Sequence, residues 1–166
     1  MIDAARIPCF GRILEPSAGI GSICDGLRAE GVTDDRIQAV EVSQSCVTVC
    51  ELKGYTTTCA DFLEMTPPAD PDADGFDRVL MNPPFEQLAD IDHVRHAFQF
   101  LRSGGRLVAI MSEGSFNTSG RRKCQEFAHW FNDLGGESEP LRDAFNTAAA
   151  FRSTGVSVRL VIIDKP

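Results

Sequence analysis

The chain is 166 residues long and contains no apolar run near the length a bilayer span needs, roughly 18 to 20 residues. Its first residues lack the basic start and apolar centre of a signal peptide. Both absences point to a soluble intracellular protein, and a cytoplasmic location is expected. The six cysteines (9, 24, 46, 50, 59 and 124) form no CxxC pair and show no zinc-like spacing with His93, His96 or His129. No metal is therefore expected. Cys46 and Cys50, four residues apart, share a helix face and read as packing, and reduced thiols suit the cytosol. Positive charge is also scarce: 24 acids against 16 Lys and Arg leave a net charge of -8. That balance argues against a broad grip on nucleic acid, because phosphate neutralisation supplies most non-specific affinity. "RRK" at 121–123 is the local exception. There is no internal repeat and no low-complexity stretch. A 43% hydrophobic content over this length suits one domain, 1–166, with a true core.

What is present alternates between strand and helix patterns. "GRILEP" (11–16), "RIQAVEVS" (36–43), "YTTTCAD" (55–61), "FDRVLMN" (76–82) and "RLVAIMS" (106–112) read as strands. Stretches 21–31, 44–54, 91–105 and 121–136 read as helices, the first, second and fourth stopped by Gly31, Gly54 and Gly135. The tail 156–164 is a last strand, with a weaker one at 138–145. The proline- and acid-rich segment 64–75 reads as an exposed loop. Near-continuous apolar strands argue for a parallel sheet covered by helices on both faces. Right-handed crossovers then bring the turns 15–21, 41–44, 61–64, 82–90 and 112–120 to one edge, where such folds bind ligands.

The turn "LEPSAGIG" (14–21) offers Glu15, Pro16 and Ser17, then Gly19 and Gly21, which let backbone pass close to a ligand. Cys24 stands where a dinucleotide fingerprint would place its third glycine, which favours a nucleoside over a pyrophosphate. A tight turn with no ligand is the competing reading. Glu41 ends the second strand 20 residues after Gly21, where a carboxylate can accept from both ribose hydroxyls, and Val42 follows it. Asp61 ends the third strand beside Phe62, a pair suited to an adenine amino group and a stacking ring. Acids at the ends of three successive strands form an adenosine-binding set.

"LMNPPFE" (80–86) closes a buried strand with an amide, two stiff residues and a ring. Pro83 and Pro84 hold Asn82 extended and offer no N–H. The Asn82 side-chain oxygen and the Pro83 carbonyl are then both free to accept from one exocyclic amino group, with Phe85 as a face for its ring. Two acceptors favour a tetrahedral nitrogen and free a lone pair that ring conjugation otherwise ties up. Positioning can supply on the order of 7 to 11 kcal/mol of such a barrier without a tuned general base.

These motifs resemble those of class I S-adenosylmethionine-dependent methyltransferases, specifically the NPPF-type N6-adenine DNA methyltransferases, and most of all small phage or prophage members. "EPSAGIG" is similar to their cofactor loop, "VEVS" to their ribose-binding acid, "ADF" to their adenine contact and "NPPF" to their catalytic tetrapeptide. The resemblance extends through 90–97, "LRSGGRLVAIMSEG" and the final "FRSTGVSVRLVIIDKP". It implies a Rossmann-like α/β fold whose mostly parallel sheet carries seven strands, the last antiparallel and set between the fifth and sixth. It also implies S-adenosyl-L-methionine as cofactor and methyl transfer to N6 of an adenine flipped from DNA. Cofactor contacts are expected at Glu15, Pro16, Ser17, Gly19, Gly21, Glu41, Val42, Asp61, Phe62 and Asn82, and catalysis at Asn82, Pro83, Pro84 and Phe85. Two departures accompany it. The chain starts about ten residues before its first strand, so either the true start lies upstream or a more open pocket binds more weakly. It also has no stretch long enough for target recognition, so low specificity or a specificity subunit is expected.

Arg121, Arg122 and Lys123 are candidates for phosphates beside a flipped base, with a solvated helix start as the competing reading. His93 reads as structural, and "DPDAD" as a plain acidic turn without a calcium loop's glycine and terminal Glu. Two rival functions stay open. One keeps the chemistry on an RNA base or a protein glutamine amide; the other is a non-catalytic remnant that binds the cofactor weakly.

Overall fold

The computed structural model describes residues 1–141 and 157–166. Its strands are β1 (Ile13–Glu15), β2 (Ile37–Glu41), β3 (Thr57–Cys59), β4 (Phe76–Met81), β5 (Leu101–Ser112), β6 (Glu137–Leu141) and β7 (Val158–Asp164). They form one seven-stranded sheet in the order β3-β2-β1-β4-β5-β7-β6. β1 to β5 run parallel, while β7 is antiparallel to both β5 and β6. The expected insertion of an antiparallel last strand is therefore present. The C-terminal ends of β1 to β5 share one edge, and all five turns singled out from the sequence follow those ends.

The helices are α1 (Ile2–Ala5), α2 (Ser22–Ala29), α3 (Gln44–Leu52), α4 (Pro71–Asp74), α5 (Ala89–Phe98) and α6 (Arg122–Asp133). Successive strand residues point to opposite faces, and here both faces are covered. Leu14, Val40, Val79, Leu107 and Ala109 pack with Ile91, Val94 and Phe127 of α5 and α6. Their neighbours Ile13, Ala39, Leu80 and Val108 pack instead with Cys24, Leu27 and Cys50 of α2 and α3. Two buried faces explain why these strands carry apolar runs rather than alternation.

Three elements differ from expectation. The predicted helix 91–105 ends at Phe98, and Leu101 already pairs with Phe76 as the start of β5. "LRSGG" is thus a bulged strand entry, in which Gly104 takes φ 71. The predicted loop 64–75 contains the single helical turn α4, nucleated by Asp70, whose side chain accepts from Asp72 N and Ala73 N, with Pro71 in the first turn. α1 was not anticipated. Arg78 Nε donates to Ala5 O at 2.6 Å and Arg106 Nη1 to Ala4 O at 3.0 Å, which ties α1 beside the start of β4 rather than its end. Of the predicted strand 138–145, residues 138–141 lie in β6 and 142–145 fall outside the described residues. The last strand begins at Val158 instead of 156, a position outside the described residues.

Candidate functional site

The turn after β1 is held from three sides. Ala18 N donates to Val40 O at 3.0 Å, Lys53 Nζ donates to Ile20 O at 2.7 Å, and Cys50 Sγ donates to Gly19 O at 3.4 Å. Its two glycines serve different ends. Gly19 has φ +52 and open space where a Cβ would stand, which leaves its backbone approachable. Gly21 has φ +81, and a Cβ there would meet Cys50 Sγ at 3.2 Å and the Tyr55 ring at 3.4 Å. The close approach that the structure shows at Gly21 is to α3 and its following turn. Ser17 Oγ is buried without a hydrogen-bond partner among the described residues.

Glu41, half-buried at the end of β2, accepts from Gly19 N at 2.7 Å with Oε2 and from Ser43 N at 2.8 Å with Oε1. A carboxylate has about four lone-pair sites, so one on each oxygen stays free, and the backbone donors fix where both point. Val42 beside it is 68% exposed, an apolar surface left open by the described residues. A clamped diol-type acceptor, an orphan hydroxyl, an approachable glycine and a bare apolar side chain fit a nucleoside ligand.

Glu15 and the residues after β3 differ from the sequence reading. Glu15 is 1% exposed, and its Oε2 accepts from Cys24 N at 3.2 Å and Cys24 Sγ at 2.8 Å. It secures the first turn of α2 from beneath, and burial pushes its carboxyl up to about 8. The same burial, with Glu15 adjacent, pushes the Cys24 thiol up. Pro16 is buried and Ser17 half-buried in the same turn. Asp61 is exposed and caps the following 3-10 turn, accepting from Leu63 N at 2.9 Å. Phe62 corrects the expectation of a stacking ring: at 2% exposure it lies in the core, 4.9 Å from the His96 ring and 5.0 Å from Phe100. Its apolar mass is worth more against α5 than at the rim. Leu63, 39% exposed, is the apolar side chain left outside.

After β4, Asn82 is exposed and its side chain makes no hydrogen bond to any described residue. Pro83 is buried, Pro84 exposed and Phe85 half-buried. The amide thus stands open on the edge that carries Glu41. His93, a turn into α5, has its Nδ1 buried without a partner among the described residues, and burial lowers its pKa. Its ring centroid lies 6.1 Å from that of Phe62, in keeping with a packing role.

The basic cluster opens α6. Arg122 is paired with Glu126 at 2.7 Å and Lys123 with Asp92 at 2.5 Å, whereas exposed Arg121 has no side-chain partner among the described residues. One residue escaped sequence reasoning altogether. Asp90 is 0% exposed and joins the start of α5 to the end of β5, and burial raises its pKa. Its signal was an acid on the face that Val94 and Ala97 make apolar. Among the described residues no cluster of His, Cys, Asp and Glu could hold a metal ion. No described helix is long and apolar enough to cross a membrane.

No family model matches the chain, and no curated protein matches it significantly. Solved structures do. A protein from Listeria monocytogenes named as a class I S-adenosylmethionine-dependent methyltransferase superposes with TM-score 0.70 at 17% identity, over 99% of this chain and 56% of that one. TrmN from Thermus thermophilus gives 0.67 at 16% identity, over 99% and 47%. A protein from Vibrio vulnificus named as the modification subunit of a type I restriction enzyme gives 0.66 at 16%, over 93% and 40%. The chain thus spans about half the length of these three. At such identities the likeness establishes the fold: a Rossmann-like sheet of the class I methyltransferase type.

Proposed function

We propose that the protein is an S-adenosylmethionine-dependent methyltransferase that modifies an exocyclic amino group, with N6 of a flipped DNA adenine as the acceptor. The observation that carries this reading is the exposed Asn82 amide, without a hydrogen-bond partner among the described residues, on the same sheet edge as the doubly anchored Glu41. Names borne by the fold neighbours, among them a class I methyltransferase and a restriction modification subunit, support it as well.

Glu41 would receive the ribose hydroxyls, with Ser17 and Gly19 along the same ligand and Val42 against the base. Asp61 keeps exposed carboxylate capacity for an adenine amino group. S-adenosylmethionine, when bound, supplies an electrophilic methyl group on sulfur. The chain's own part is to hold the acceptor: Asn82 Oδ1 and the Pro83 carbonyl accept from the amino group, and Phe85 supports its ring. Neither acceptor changes charge, so the site works by orientation and fixed dipoles. Arg121 is the cation ready for a flanking phosphate. Arg122 and Lys123 would first have to leave Glu126 and Asp92. Sequence choice would come from a partner such as a specificity subunit.

That pairing of Arg122 and Lys123 favours a second reading, in which the same corner methylates a protein glutamine amide; an RNA base shares the –NH2 chemistry but asks for the same phosphate-binding cations. Tritiated-methyl transfer to unmethylated DNA, tRNA, rRNA and protein extract separates the two. The expected result is label in DNA at adenine N6, abolished in Asn82→Ala while calorimetric cofactor binding is retained. Undiminished turnover in that variant would remove Asn82 from the reaction. Label in no acceptor, despite measurable cofactor binding, would favour a non-catalytic remnant.

A further inference from the structure

We infer that Asp90 is a positioning residue, a buried strap that locks the Asn82 corner to the loop leaving β5 so that the two move as one rim around the acceptor. This rests on the methyltransferase reading above. Asp90 lies eight residues beyond Asn82 and is 0% exposed. Oδ2 accepts from Ser112 N at 2.9 Å, and Oδ1 accepts from Ile91 N at 3.1 Å. The Ser115 hydroxyl lies 2.8 Å from Oδ1 and 2.7 Å from Oδ2, and donates to this carboxylate. Ser112 ends β5, and Ser115 sits in the 3-10 turn Glu113–Phe116. One carboxylate therefore holds both loops.

A second observation shows why an anchor is needed there. Between Asn82 and Asp90 the backbone passes through two consecutive non-glycine residues in the left-handed region, Gln87 at φ 54 and Leu88 at φ 61. Such conformations persist only where the surroundings over-determine them. The chain leaving the corner is bent against its own preference, and Asp90 is the first fully buried polar group after the bend. The Asp92–Lys123 pair adds a link from α5 to α6 outside it. An apolar residue at 90 would fill the same face of α5 while leaving Ser112 N without an acceptor, so stability of the helix alone does not call for an acid.

The test uses the full chain as wild type, Asp90→Asn and Ser115→Ala. An amide at 90 keeps the shape but has one acceptor oxygen, so the Ser112 N–H loses its charged partner. Asp90→Asn is expected to lower kcat about tenfold or more with KM for S-adenosylmethionine within about twofold, the pattern of a group lost from the transition state and not from cofactor binding. Calorimetric Kd for the cofactor should hold equally. Amide hydrogen exchange should quicken over 82–90 and 112–117 and stay unchanged at Gly19 and Ser43. Ser115→Ala should show the same split to a smaller degree, and it decides alone should Asp90→Asn fail to fold. Unchanged kcat in both variants overturns the proposal, as does a fall in kcat matched by an equal loss of cofactor affinity. Wild type that transfers to no acceptor refutes the methyltransferase reading instead. In that case exchange confined to the two loops sustains the strap, and exchange spread over the whole sheet overturns it.

Discussion

Glu15 should make the protein less stable as pH rises, and replacing it with Gln should remove that dependence. Its carboxyl ordinarily titrates near 4.5 and in the fold is pushed up to about 8, with burial the largest cause. Cys24 N and Sγ, both on Oε2, oppose the shift without cancelling it. A raised carboxyl means that the native state holds a proton which the unfolded chain releases. Its stability contribution is therefore fully present below about pH 4.5 and is lost progressively as pH rises through about 8. Each pKa unit corresponds to 1.36 kcal/mol, so the gap sets a ceiling of about 5 kcal/mol. Roughly 3 kcal/mol of it falls between about pH 5.5 and 9, a range clear of the isoelectric point near 4.8. Glu15→Gln mimics the neutral acid at every pH. Urea unfolding of both proteins across that range should give curves that lie close together at the acid end and diverge by a few kcal/mol at the alkaline end, the variant being the more stable. A constant difference across the range would show that Glu15 is ionised throughout, and the buried neutral carboxyl would have to be abandoned.

Two further substitutions probe the nucleoside end. Glu41→Ala removes the acceptor of Gly19 N and Ser43 N together with the two free lone-pair sites, and should weaken cofactor binding by about 1.5 to 3 kcal/mol, the range for hydrogen bonds to a charged group. An unchanged calorimetric Kd would take Glu41 out of the ribose site. Phe62→Leu keeps most of the buried volume beside His96 and Phe100, and should cost about 1 kcal/mol of stability while leaving cofactor Kd unchanged. A loss of affinity exceeding the loss of stability would return the Phe62 ring to the binding site.

The alternation of strands and helices and the common edge of the turns were legible because they follow from pattern and topology, whereas the insertion of β7 between β5 and β6 was expected only from the family resemblance. Apolar runs such as "RVLM" and "RLVAIM" require two covered faces, and parallel strands send all their following turns to one edge. Glu41 and Asn82 were singled out in this way: Glu41 ends β2 and Asn82 directly follows β4, and both stay half-buried or exposed. The direction of a side chain within a turn was not legible. "ADF" supplies an acid and a ring side by side, yet the fold sends Asp61 outward as a cap and Phe62 inward to Phe100. Burying a phenyl ring against α5 outweighs whatever stacking would return at an open rim. Gly21 reads as a ligand glycine, yet the side chains that a Cβ there would crowd are Cys50 and Tyr55, more than 25 residues away in sequence.

Asp90 shows the opposite kind of omission. An acid at the first turn of a helix is ordinarily explained by the helix dipole, and that explanation hides the anomaly that it occupies the buried face. Only its partners, Ser112 and Ser115, more than 20 residues further along, reveal what the charge is for. The same logic separates the two halves of the candidate site. At the end of β2, one donor that holds Glu41, Ser43 N, lies two residues on within the same motif, while the other, Gly19 N, lies 22 residues back in a second glycine-marked turn, so two recognisable motifs convey that clamp. The acceptor half is organised by a bent segment and a long-range carboxylate strap, so a local motif names Asn82 without conveying what keeps it in place. A protein reading only "NPPF" on this fold, without an anchor for the turn behind it, would present the same amide with less control over its aim, and the cost would fall on turnover before it fell on cofactor affinity.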